Sequence, residues 1–135
     1  MTLTWKAIGD DIILQEGAAA YNYKASGTIK AGQLVKVKDT MEVKVCSDKD
    51  DTGCVGVSAY DVTDNEYLAV WGPGNIVRVR ISGAATVGDD LQAASDTEDG
   101  YLASRTAVAG AKVGVALETV TADTTNGTVC RVLLV

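Results

Sequence analysis

Three aspartates crowd one short stretch, Ser47-Asp48-Lys49-Asp50-Asp51-Thr52-Gly53. Carboxylates at alternate positions ahead of a glycine resemble a calcium loop, which needs glycine at its sixth position and a bidentate glutamate at its twelfth. Counted from Asp48, the sixth residue is Gly53 but the twelfth is Ala59, and the flanking sequence reads as strands. A solvated acidic turn is expected, with weak divalent-ion binding as the alternative. Cys46 and Cys54 flank this loop and face each other if it closes a hairpin, as a bridge or as two thiols. No second cysteine pair completes a zinc site. Cys130, in the terminal apolar run, reads as a small buried hydrophobe.

The chain contains no histidine, which removes imidazole acid–base chemistry and histidine-ligated metals. Asp10-Asp11, Asp50-Asp51 and Asp89-Asp90 are adjacent pairs. Neighbours on a strand point to opposite faces, so these carboxylates do not converge. No serine or cysteine has a visible activating base, and Gly27–Gly32 is not followed by the Lys-Ser/Thr and helix of a phosphate loop. No catalytic residue, metal ligand or cofactor is therefore expected, and the chain is read as a non-enzyme.

The net charge is −6 and the 12 basic residues are dispersed, which argues against nucleic-acid binding. Lys36 and Lys38 share a strand face, as do Arg78 and Arg80; both read as wet faces or assembly contacts. There is no run of 18 apolar residues to span a membrane, and the start does not resemble a signal peptide. An odd cysteine count points to synthesis inside a cell.

The elements expected to carry these residues are short strands. Gln33–Lys38 and Glu42–Cys46 alternate and form a hairpin around Asp39-Thr40; Ile76–Ile81 is the clearest alternating strand. Asn126-Gly127 reads as a type I′ hairpin turn. The pattern also repeats. Ser26–Val35 returns as Ser82–Leu91 at an offset of 56, and Val55-Gly56-Val57 as Val113-Gly114-Val115 at 58. Gly74–Val79 resembles Gly127–Val132 at an offset of 53. The expectation is an all-β fold, a small barrel or β-tulip-like domain of about eight to ten short antiparallel strands. One β domain would span 26–135, with quasi-repeats at about 26–81 and 82–135, and residues 1–25 would form an extended N-terminal arm.

Tyr21 and Tyr23 alternate, and either seal one end of the core or, with Trp5, contact a neighbouring subunit. The Gly72-Pro73-Gly74 turn sets an interface loop anchored by Trp71, unless Trp71 caps the barrel. Subunit-interface candidates are Trp71, Pro73, Arg78 and Arg80.

The ordered series Ala31-Gly32-x-Leu34-Val35, Val55-Gly56-Val57, Gly74-x-Ile76-Val77-x-Val79, Val87-Gly88-Asp89-x-Leu91, Gly100, Val113-Gly114-Val115-Ala116 and Gly127-x-Val129-x-x-Val132 resembles the head decoration, or cement, proteins of tailed double-stranded DNA viruses. The resemblance covers 26–135. It implies a protein on the outer surface of the expanded capsid of a phage or archaeal virus, bound to the major capsid protein as a homotrimer and stabilising the shell against DNA pressure. It also implies that the arm reaches the capsid, with Trp5, Ile12, Ile13 and Leu14 as anchors beside Tyr21 and Tyr23. On that basis deleting residues 1–16 is expected to leave the domain folded and weaken its attachment to the shell. The alternative is another virion or surface β module: a head fibre base, a tail component or a glycan-binding adhesion module presenting Tyr60, Tyr67, Trp71 or Tyr101.

Overall fold

A computed structural model describes residues 3–9, 12–95, 98–105 and 110–135. The Asp10-Asp11 pair, part of the 96–100 turn and the run 107–109 lie outside these residues. The described chain is all-β, with eleven strands: β1 Ile13–Gln15, β2 Tyr21–Ala25, β3 Leu34–Asp39, β4 Glu42–Val45, β5 Cys54–Ser58, β6 Tyr67–Trp71, β7 Ile76–Ile81, β8 Asp90–Ala93, β9 Leu102–Ser104, β10 Gly114–Ala116 and β11 Thr128–Leu134.

Ten of them, all but β1, close into two five-stranded barrels of one topology. Barrel one runs β2-β4-β3-β5-β6 and closes on β2. Barrel two runs β7-β9-β8-β10-β11 and closes through the β11–β7 ladder. Each contains a single parallel pairing, β2–β4 in the first and β7–β9 in the second. Closure leaves few free edges for a chain of short strands.

The echo in the sequence is a true equivalence at two of its three points. Gly56 pairs with Val35, and Gly114 pairs with Leu91. Both glycines answer one demand. A Cβ on Gly56 would strike the carbonyl oxygen of Trp71; on Gly114 it would meet Val132 and lie 3.0 Å from the carbonyl oxygen of Leu133. Trp71 and Leu133 sit opposite the next residues, Val57 and Val115, so the barrel wall passes too close there for any side chain. Turn bonds repeat too: Gly32 N–H donates to Ser58 O as Gly88 N–H does to Ala116 O, each at 2.8 Å.

The third echo, at offset 53, does not relate equivalent strands. It compares β7 with β11, which are antiparallel neighbours closing barrel two. They look alike because both alternate apolar residues into the same core. The counterpart of β7 is β2: Ser26 N–H donates to Val43 O, and Ser82 N–H to Leu102 O, at the parallel pairing. Tyr21–Ala25, expected in the arm, is therefore a stave of barrel one, and Ile76–Ile81 opens the second round rather than ending the first.

Asn126-Gly127 also differs from expectation. β10 and β11 are joined by the long segment 117–127, not by a two-residue turn. Its last part wraps around Asp123, whose Oδ1 accepts from the N–H groups of Thr125 at 2.8 Å and Asn126 at 3.1 Å. Only Gly127 of the pair has positive φ, +74°.

Barrel one has a core of its own around Ala25, Ile29, Val35, Val43, Leu68 and Val70, and the two barrels share a second. Leu34, Cys46 and Val57 of barrel one pack with Val77, Val79, Leu91, Leu102, Cys130 and Val132 of barrel two. Gly100 reaches across: its N–H donates to Cys46 O at 2.8 Å, and Leu34 N–H donates to Gly100 O at 2.9 Å.

Candidate functional site

The strongest candidate for a functional surface is where the arm meets the barrels. The arm is held at several points along its length. β1 adds to the edge of β7, with Ile13 opposite Val77 and Gln15 opposite Ile76, and Arg78 N–H donates to Ile12 O at 2.8 Å. Arg80, only 7% exposed, donates from Nε to Lys6 O at 2.6 Å, from one terminal nitrogen to Ala7 O at 3.3 Å and from the other to Gly127 O at 3.0 Å. Trp5 then packs edge-on against buried Tyr101, centroids 4.9 Å apart at 69°. Burial lifts the Tyr101 phenol above its usual range, and its OH donates to Asn126 O at 3.0 Å.

Trp5, Ile8 and Ile12 converge over Gly32, where any Cβ would press 2.5 Å from Ile8 Cδ1 and 3.2 Å from Ile12 Cδ1. Gly32 has φ +86°, so both its space and its backbone exclude other residues. Beside this crossing an open groove of about 530 Å³ runs between Ile8 and Ile12 on one side and Lys30, Ala31 and Tyr60 on the other.

The sequence candidates separate accordingly. Trp5 and Ile12 are spent inside the chain, Ile12 in the shared core at 6% exposure. Ile13 and Tyr23 are half-buried against the two cores. Leu14 and Tyr21 are exposed, at 45% and 67%. Trp71 packs against the core shared by the two barrels, while Pro73 is exposed. The Arg78–Arg80 face is not uniformly wet, because Arg80 is buried by the arm it grips. An arm so engaged is part of barrel two's packing, which runs against its expected detachability.

Asn75 carries no sequence signal beyond following Gly72-Pro73-Gly74, yet it is a hub. It is fully buried, accepts at Oδ1 from Gly17 N–H and Ala18 N–H at 2.9 and 3.1 Å, and donates to Gly72 O at 3.0 Å. It ties the end of the arm to the turn between barrels.

The acidic loop is structural where it is buried. Asp51 accepts from Lys36 Nζ at 2.5 Å and from the N–H groups of Ser47 and Asp48 at 2.9 and 3.1 Å. Burial would raise its carboxyl pKa, but these donors outweigh burial and hold it below the usual range. Ala111 N–H donates to Asp51 O at 3.2 Å, docking the loop on barrel two. Among the described residues no group of three metal-binding side chains converges. Cys46 and Cys54 are free thiols with sulfurs 3.6 Å apart.

No family model matches this chain, and no curated protein does. Among solved structures, it is similar in fold to the head fiber gp8.5 N base of bacteriophage phi29, with a TM-score of 0.62 and 14% identity over 86% of this chain and 92% of that one.

Proposed function

We propose that this chain is a structural protein of a phage particle, displayed at the virion surface as the base of a head-fibre-type projection. The observation that carries this reading is the match to the phi29 head fibre base over nearly the full length of both chains, which takes in both barrels. Two closed barrels joined through a shared core cluster suit such a role. They form a stiff block whose strand edges are largely satisfied, with exposed Tyr21, Tyr67 and Met41 left for contacts. Decoration of the whole capsid lattice, bound as trimers to the major capsid protein, is the second reading, favoured by the glycine-and-strand series in the sequence.

Copy number in purified particles separates the two. Quantitative mass spectrometry against the major capsid protein is expected to find far fewer copies than capsid subunits. Near-equal numbers would move the protein to the lattice, and absence from the particle would overturn both readings.

A further inference from the structure

The two barrels are equivalent, yet only one has its first-strand edge filled. On barrel two, β1 lies along Ile76–Arg78. The turn bonds of Ser26 and Ser82 align β2 with β7, so Ala20, Tyr21 and Asn22 take the places of Ile76, Val77 and Arg78, and Lys24 takes that of Arg80. Along β2 the N–H groups alternate. Ala25 N–H donates toward β6, at Glu66 O, and Lys24 N–H donates the other way, to Met41 O at 2.9 Å. Asn22 therefore points its N–H outward, as Arg78 does toward Ile12. β4 meets β2 only at Lys24 and Ala25, and no strand lies along Ala20–Asn22 among the described residues. Tyr21 and Asn22 are exposed there.

We infer that this vacant edge of β2 is a docking site for an extended strand of a partner protein, apolar at its centre and acidic at its flanks. The chemistry follows from the edge that is already occupied. The segment that fills it on barrel two is Ile12-Ile13-Leu14-Gln15, bounded in sequence by Asp10-Asp11 and Glu16, and Arg80 reads its upstream backbone carbonyls. On barrel one the equivalent cation is Lys24. Of the four lysines on strands β2, β3 and β4, Lys36 is paired with Asp51 and Lys38 with Glu42, which leaves Lys24 and Lys44 against Asp39. That excess favours an acidic incoming strand. Strand addition supplies backbone hydrogen bonds without a deep pocket, and exposed Tyr21 and Met41 supply apolar contact. The inference stands apart from any virion role, because it concerns an edge of the isolated protein.

The test uses the whole protein and a synthetic peptide, Asp-Asp-Ile-Ile-Leu-Gln-Glu, as probe. Amide NMR shifts on titration are expected at Ala20–Tyr23. Asn22→Pro removes the outward N–H at an edge position that tolerates proline and is expected to weaken binding about tenfold or more. Asn22→Ala keeps the N–H and should bind as the native chain does. Equal binding by Asn22→Pro, no shifts, or shifts confined to Ile76–Arg78 would overturn the proposal. If Asn22→Pro does not fold, slowed hydrogen exchange of the native Asn22 amide on adding peptide serves instead, and unchanged exchange overturns it. Self-association of the peptide-free protein that Asn22→Pro dissolves would also overturn it, by assigning the edge to a second copy of this chain.

Discussion

Arg80 Nε donates to the carbonyl oxygen of Lys6 at 2.6 Å across 74 residues of chain. A residue of the clearest strand in the sequence thus holds a segment whose own sequence carries no strand signal. The arm docks because a buried guanidinium finds two backbone carbonyls there, beside that of Gly127, and leaves little of itself exposed.

Replacing Arg80 by methionine keeps some of the apolar stem but strands Lys6 O, Ala7 O and Gly127 O. A loss of about 3 kcal/mol is expected from the missing charge-assisted bonds, read from the urea midpoint. Limited proteolysis should then cut first between Leu3 and Gly9. Unchanged stability with an intact arm would show that β1 and Trp5 suffice.

Gly32 and Gly88 occupy the same turn of the two barrels, with φ of +86° and +92°. Nothing lies within 4 Å of a Cβ on Gly88, whereas one on Gly32 meets Ile8, Ile12 and Trp5. Gly88→Ala is expected to cost about 1 kcal/mol from backbone strain alone. Gly32→Ala should cost about 1–3 kcal/mol more by overpacking the arm. Equal costs in paired denaturation curves would mean that the arm yields freely at this crossing.

Acid should weaken the joint between barrels through Asp51. A carboxyl whose folded pKa is depressed contributes stability above its unfolded pKa, about 3.9, and that stability is lost as pH falls through the lower folded value. Lys36, raised mainly by the bond it donates to Asp51, stays charged throughout this range. Asp51→Asn should therefore flatten the acid limb of stability against pH below about pH 4, measured by thermal unfolding. An unaltered acid limb would place the acid sensitivity elsewhere.

The three thiols should react in a fixed order. The hydrogen bond between the two thiols lowers the Cys54 pKa, whereas the same bond and burial raise that of Cys46. Burial pushes Cys130 up to about 11. Iodoacetamide at pH 8 is expected to label Cys54 first, and oxidised glutathione to join Cys46 to Cys54 while Cys130 stays reduced. Peptide mass mapping reads both, and early labelling of Cys130 would contradict the packing of β11.

Much of the fold was legible because its causes are local. Alternation marks β3, β4 and β7 before any contact is known. The Val-Gly-Val echo marks β5 and β10, since the same close approach demands glycine in each barrel. By contrast, β6 and β11 are equivalent yet share almost no residues, because any apolar alternation fits an inner wall. Pairing β7 with β11 by likeness followed from that degeneracy. Asn126-Gly127 misled for a related reason: turn chemistry is local, but the Asp123 carboxylate and a long connection decided which turn formed.

Composition and spacing alone determined an all-β chain with two rounds of one pattern and no histidine chemistry. Only the tertiary structure decided where each round begins, that the arm belongs to barrel two through Arg80 and Ile12, and that the matching edge on β2 is left open. Those outcomes rest on contacts between residues tens of positions apart, and the free energy of such contacts depends on geometry that no local stretch of sequence contains.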